Sequence, residues 1–108
     1  MPKIRLYLAG PMSGIKDKNK FLFNKVAIML RKKGFDVINP WELDANDKVS
    51  KTWEQFLIRD LKQLLDCNVI VTLPDWQESR GATLEVFIAT QLKKQVISSD
   101  YYLERKTQ

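Results

Sequence analysis

Three short apolar runs in this chain each stop at residues that a strand or helix cannot continue through. Ile4 to Ala9 ends at Gly10-Pro11, Phe35 to Ile38 at Asn39-Pro40, and Asn68 to Leu73 at Pro74-Asp75. Runs of that length, cut off by Gly, Asn or Pro, read as buried strands. The spaces between them carry a different period. From about Lys18 to Lys33, Phe23, Val26, Ala27 and Leu30 recur at i, i+3, i+4 and i+7, the pattern of an amphipathic helix that Gly34 can close. A second helix is expected over about Thr52 to Asp66, with Trp53, Phe56, Leu57, Asp60, Leu61, Leu64 and Leu65 on its apolar stripe. Ser79 can cap a third, running to about Lys94. Gln95 to Ser98 reads as a last strand, residues 41–50 as a polar loop, and Asp100 to Gln108 as a tail.

The resulting order, β-α-β-α-β-α-β, implies an α/β fold: a parallel sheet with helices on both faces. Ligands in such folds bind beyond the carboxyl ends of the strands, near a switch in strand order. Here those ends are Ala9-Gly10-Pro11, Asn39-Pro40-Trp41 and Leu73-Pro74-Asp75, which should share one rim. No repeat or linker interrupts the pattern, and 108 residues suit one compact domain over 1–108.

Composition removes whole classes of chemistry. The chain has no histidine, so Ser-His-Asp and Cys-His nucleophiles and histidine-containing zinc sites are excluded. Cys67 is the only cysteine, which rules out an internal disulfide and fits a reducing, cytoplasmic setting. Acid–base work would fall to Asp, Glu, Lys or Tyr. Gly10-Pro11-Met12-Ser13-Gly14 lacks the GxGxxG spacing, and no GK[ST] follows any glycine run, so no cofactor is expected, nor a metal. The net charge is +5, yet residues 16–33 alone hold seven basic side chains and one acid. That segment reads first as a solvated helix face, and no recognised motif supports nucleic acid as a partner. No apolar run is long enough for a membrane span, and the N-terminus lacks the apolar core of a signal peptide.

Two acids stand out. Asp60 interrupts an apolar stripe, where a charge is costly unless paired or protonated. It either caps something at the stripe's edge or is a carboxyl held at a pocket with a raised pKa. Glu85 lies six residues after Ser79, in the second turn of the third helix, where the helix N-terminus favours an anion. Ser79, Arg80 and Gly81 form a polar entry whose backbone N–H groups could receive a phosphate. Tyr7 alternates with Leu6 and Leu8 and is by default a core residue. Trp41 and Trp76 follow prolines at strand ends and could stack on a base or simply pack.

Together, Tyr7-Leu8-Ala9-Gly10-Pro11, the stretch from Arg59-Asp60-Leu61 to Leu64-Leu65-Asp66-Cys67-Asn68, and Ser79 through Glu85 resemble the nucleoside 2-deoxyribosyltransferase family, over Ile4 to about Ile97. The resemblance implies a flavodoxin-like or Rossmann-like sheet of four to five strands and a homodimer or higher homo-oligomer. It implies N-glycosidic chemistry on a nucleoside or nucleotide. Glu85 would be the nucleophile, Asp60 the pocket acid and Tyr7 the residue that orients Glu85. Gly10, Pro11, Ser79, Gly81 and Trp41 are the candidate substrate contacts. Classical members carry an aspartate at the position of Ser79, where it holds a 5′-hydroxyl. A serine there suits a 5′-monophosphate instead. The family often completes its site from a neighbouring subunit's C-terminal region, and Ser98 to Gln108 offers no match to those residues. The compact stretch from Pro40 to Thr52 would leave the pocket open to water, favouring hydrolysis over transfer. A catalytically weak nucleotide-binding module is the alternative.

Overall fold

The computed structural model describes residues 3–12, 16–46 and 49–103. Four parallel strands form the sheet in the order β2-β1-β3-β4: β1 (Arg5–Ala9), β2 (Asp36–Ile38), β3 (Val69–Thr72) and β4 (Gln95–Ser98). Leu6 is level with Val37 on one side and Val69 on the other. The helices are α1 (Lys16–Lys32), α2 (Pro40–Asn46), α3 (Trp53–Leu65), α4 (Arg80–Gln91) and α5 (Ser99–Leu103). This is a flavodoxin-like, Rossmann-like α/β arrangement.

The strand period of two decides which layer each residue joins. Leu6 and Leu8 of β1, with Val69 and Val71 of β3, meet Phe23, Val26, Ala27 and Leu30 of α1, and Tyr102 and Leu103 of α5 pack on that cluster. Tyr7 and Ala9, with Ile70, point to the opposite face and meet Leu64 of α3 and Ala82 and Ala89 of α4. The alternation noted at Leu6-Tyr7-Leu8 therefore places Tyr7 under α4.

Helix ends follow local chemistry. Gly34 adopts φ 100°, and the N–H groups of Gly34 and Phe35 return to the carbonyls of Arg31 and Leu30, closing α1. Thr52 and Gln55 form a reciprocal capping box at the start of α3. Ser79 caps α4 by accepting the Ala82 N–H at 3.1 Å.

Several expectations need correction. Residues 41–50 are not a loop throughout: Pro40–Asn46 is helical. Asn39 is its cap, accepting the Trp41 N–H on its side-chain oxygen while its carbonyl accepts from Glu42. Asn-Pro breaks the strand and also supplies an N-cap followed by proline at the first helical position. The tail begins with α5, which Ser98 starts by accepting the Asp100 N–H. The third helix stops at Gln91, short of Lys94, because Lys93 turns to φ 61°. Leu65 lies off the buried stripe and is exposed. Ser13, Gly14 and residues 104–108 lie outside the described residues.

The chain passes from β1 to β2 on one side and then to β3 on the other, so the switch in strand order falls between β1 and β3. Gly10 closes β1 at that point. A Cβ on Gly10 would stand 2.9 Å from the Leu73 Cβ, which follows β3. Gly10→Ala is expected to destabilise the fold by about 1–3 kcal/mol through forced backbone separation. Gly81→Ala, whose Cβ meets nothing within 4 Å, should hold or slightly raise stability. Urea denaturation of both variants measures the contrast.

Candidate active site

The switch point opens into a cavity of about 220 Å³. Gly10 and Met12 form its floor beyond β1, and α2 contributes Trp41 and Asp44. The first two turns of α3 supply Trp53, Phe56, Leu57, Arg59 and Asp60, and the start of α4 supplies Ser79, Gly81, Ala82 and Glu85. Four elements far apart in sequence thus meet at one rim.

Glu85 is 6% exposed and accepts a 2.6 Å hydrogen bond on Oε2 from the Tyr7 hydroxyl. Tyr7 is itself fully buried. Burial pushes the Glu85 carboxyl up to about 8, the Tyr7 bond opposes this, and the negative charge of Asp60 adds to it. The Tyr7 phenol is held well above its ordinary value by burial and by the charges of Glu85 and Asp60. It therefore stays a donor at any physiological pH.

Asp60 is 8% exposed, and burial raises its carboxyl to about 6 against the pull of Arg59. Arg59 donates to Asp60 Oδ1 from Nε at 3.0 Å and from Nη2 at 2.7 Å, so both bonds fall on one oxygen. The same Nη2 reaches Asp44 Oδ1 at 2.5 Å. The guanidinium also lies 5.2 Å from the Phe56 ring centroid. Asp60 is thus both paired and set in the wall of an open cavity, which joins the two alternatives the sequence left standing.

The rim is cationic on the α4 side. Arg80 opens α4 with its guanidinium 4.0 Å from the centroid of the Trp53 ring. No acid occupies the first turn of α4 to offset that charge.

Of the expected site residues, Glu85, Asp60, Gly10, Ser79, Gly81 and Trp41 all line this cavity, and Tyr7 reaches it through Glu85. Pro11 is not among the lining residues, and Trp76 packs with the core beneath α4. Sequence reading missed Asp44 because it took its segment for a loop. The Asn39-Pro40 helix start, with Asp44 one turn beyond Trp41, was the signal available. Arg59 carries no local signal of its role, since the sequence places it only beside Asp60.

Several solved structures share this fold. A 2-deoxyribosyltransferase from Bacillus psychrosaccharolyticus superposes with a TM-score of 0.71 at 19% identity, covering 87% of this chain and 70% of that one. A 2-deoxyribosyltransferase from Leishmania mexicana gives 0.66 at 20% identity, covering 90% of this chain and 63% of that one. A CMP N-glycosidase from Clostridium botulinum gives 0.60 at 20% identity, covering 87% and 66%. The chain thus spans about two thirds of the length of these proteins. The curated proteins contain no match to it. At sequence level residues 4–98 match the family described as "Domain of unknown function (DUF4406)", and the chain belongs to that family.

Proposed function

We propose that this chain cleaves or exchanges the N-glycosidic bond of a 2′-deoxynucleoside or its 5′-monophosphate. The observation that carries the reading is the buried Glu85 carboxyl, held by the Tyr7 hydroxyl in the same cavity as Asp60. Two carboxyls in distinct environments can divide the work of nucleophile and acid. Glu85 attacks C1′ as the C1′–N bond breaks, and the departing base takes its electron pair and a proton from Asp60. Asp60 then accepts a proton from water as that water attacks C1′ and releases Glu85. A second base in place of water gives exchange.

Tyr7 fixes Oε2, leaving Oε1 to attack. Trp41, Trp53 and Phe56 give the cavity aromatic surface suited to a base. Ser79 uses its oxygen as a helix cap, which leaves its hydroxyl hydrogen free to donate. With the α4 N-terminus and Arg80 beside it, that corner suits a phosphate. The fold likeness to a CMP N-glycosidase is in keeping with a nucleotide substrate.

The test is incubation with a panel of nucleosides and 5′-monophosphates, with free base followed by chromatography. Base release is expected from at least one, and Glu85→Gln should lower it on the order of 10³-fold or more. Absence of release from the whole panel would favour the weakly catalytic binding module.

The reaction needs Glu85 ionised and Asp60 protonated, one proton for the pair. With carboxyls at about 6 and about 8, the pair holds that proton between those values. The kcat/KM profile should be a bell with limbs near them. Asp60→Asn should abolish the alkaline limb, leaving a reduced rate that is flat at high pH.

Ser79→Asp keeps a good helix cap but brings a negative charge to the phosphate corner. It should lower kcat/KM for a 5′-monophosphate at least about tenfold while sparing the nucleoside, a loss of about 1.4 kcal/mol. Steady-state kinetics on the matched pair decides this.

The same burial bears on stability. The Glu85 carboxyl is raised in the folded state, from 4.5 to about 8, so folding favours its protonated form. That contribution is fully present below about 4.5 and is lost as pH rises toward 8. Glu85→Gln cannot lose a proton and keeps an acceptor for Tyr7. It should match the parent in acid and exceed it at pH 8 by on the order of 1–3 kcal/mol, read by thermal melts at both pH values.

A further inference from the structure

We propose that Asp44 is a positioning residue for Asp60: from α2 it takes a share of the Arg59 guanidinium and so keeps Asp60 from being locked in a two-point ion pair. The proposal rests on the reading of Asp60 as the proton donor. An arginine committed to one carboxylate usually binds it as a fork, two nitrogens to two oxygens. Here both bonds to Asp60 end on Oδ1, and the nearer nitrogen, Nη2, also serves Asp44. Asp60 Oδ2 lies outside the pair.

Among the described residues, the charges around Asp60 come from four elements. Arg59 is on its own helix, Asp44 faces it from α2, Glu85 from α4, and the Tyr7 hydroxyl of β1 stands behind Glu85. One guanidinium therefore serves both Asp44 and Asp60, and the nearby carboxyls favour retention of a proton. Between the two carboxyls that share Arg59, desolvation favours the proton on the more buried one. The Asp60 side chain is 11% exposed and the Asp44 side chain 31%. The Coulomb repulsion of Asp44 adds to the upward push of burial on Asp60. Without Asp44, a larger share of the Arg59 charge would fall to Asp60. Asp60 would then ionise more readily and lose its fitness as an acid.

The test is a carboxyl carbon-13 NMR titration of the full chain, with the Asp60 signal assigned by its absence in Asp60→Asn. In Asp44→Asn the Asp60 midpoint should fall by about 0.5–1 unit. Asp44→Glu should restore it. Asp36→Asn, at the opposite end of the sheet, should leave it in place. Should Asp44→Asn not fold, Asp44→Ser serves with the same readout. The acid limb of base release, the one near 6, should move to lower pH by the same amount, with kcat/KM near neutrality falling about three- to tenfold. An unmoved midpoint in a folded variant overturns the proposal. The titration needs no turnover. A midpoint that moves in a protein releasing no base sinks the glycosidic reading and upholds the role of Asp44.

Discussion

A buried carboxyl bonded to a buried phenol is the constraint around which this molecule is arranged. Removing a carboxylate from water costs several kcal/mol unless other groups take the place of the solvent. At Glu85 one short bond from Tyr7 does part of this, and a raised proton affinity does the rest. The bond can form only because Tyr7 occupies an inward position of β1 on the α4 face. Shifting β1 by one residue would turn Tyr7 toward α1 and leave Glu85 without its donor. The register of a central strand and the state of the candidate nucleophile are therefore one fact.

The same economy explains the close approach at Gly10. Strands β1 and β3 end side by side, and the Leu73 N–H closes onto the Ala9 carbonyl at 2.8 Å. With no side chain at Gly10, Leu73 packs directly against the backbone, and Gly10 itself lines the cavity. Burial is what raises both carboxyls beside it.

The parts of the fold legible in the sequence were those set by strong local rules. The strand runs ended by Gly-Pro and Pro-Asp, the 3.6 period of α1, the Gly34 stop and the Ser79 cap all reappear in the structure, because each depends on a few neighbouring residues. Asp60 was conspicuous because an acid on an apolar stripe breaks the pattern. What stayed hidden depends on contacts across the chain. Asn39-Pro40 has two local meanings, strand stop and helix start. Helix α2 itself is held in place by the Arg31 fork on Glu42, eleven residues away, and by the Asn39 side chain bonded to Asn24. Asp44 looks like any polar loop residue until that helix is placed. Arg59, next to Asp60, gave no hint that its charge is divided.

The division matters for how an acid can work without histidine. An isolated buried aspartic acid gains a proton simply because its charged form is poorly solvated. Such a group, once it has given its proton away, becomes an unpaired charge in a dry site, which slows the very step it assists. A fully paired aspartate has the reverse fault: the carboxylate is comfortable, so it holds no proton to give. Asp60 lies between these limits. Burial favours the acid, and one oxygen already faces a guanidinium that steadies the carboxylate formed when the proton leaves. A second acceptor on the same guanidinium keeps that support partial. A carboxyl poised near neutrality by opposed forces can serve both as acid in one half of a displacement and as base in the other, the task a two-step glycosyl transfer sets.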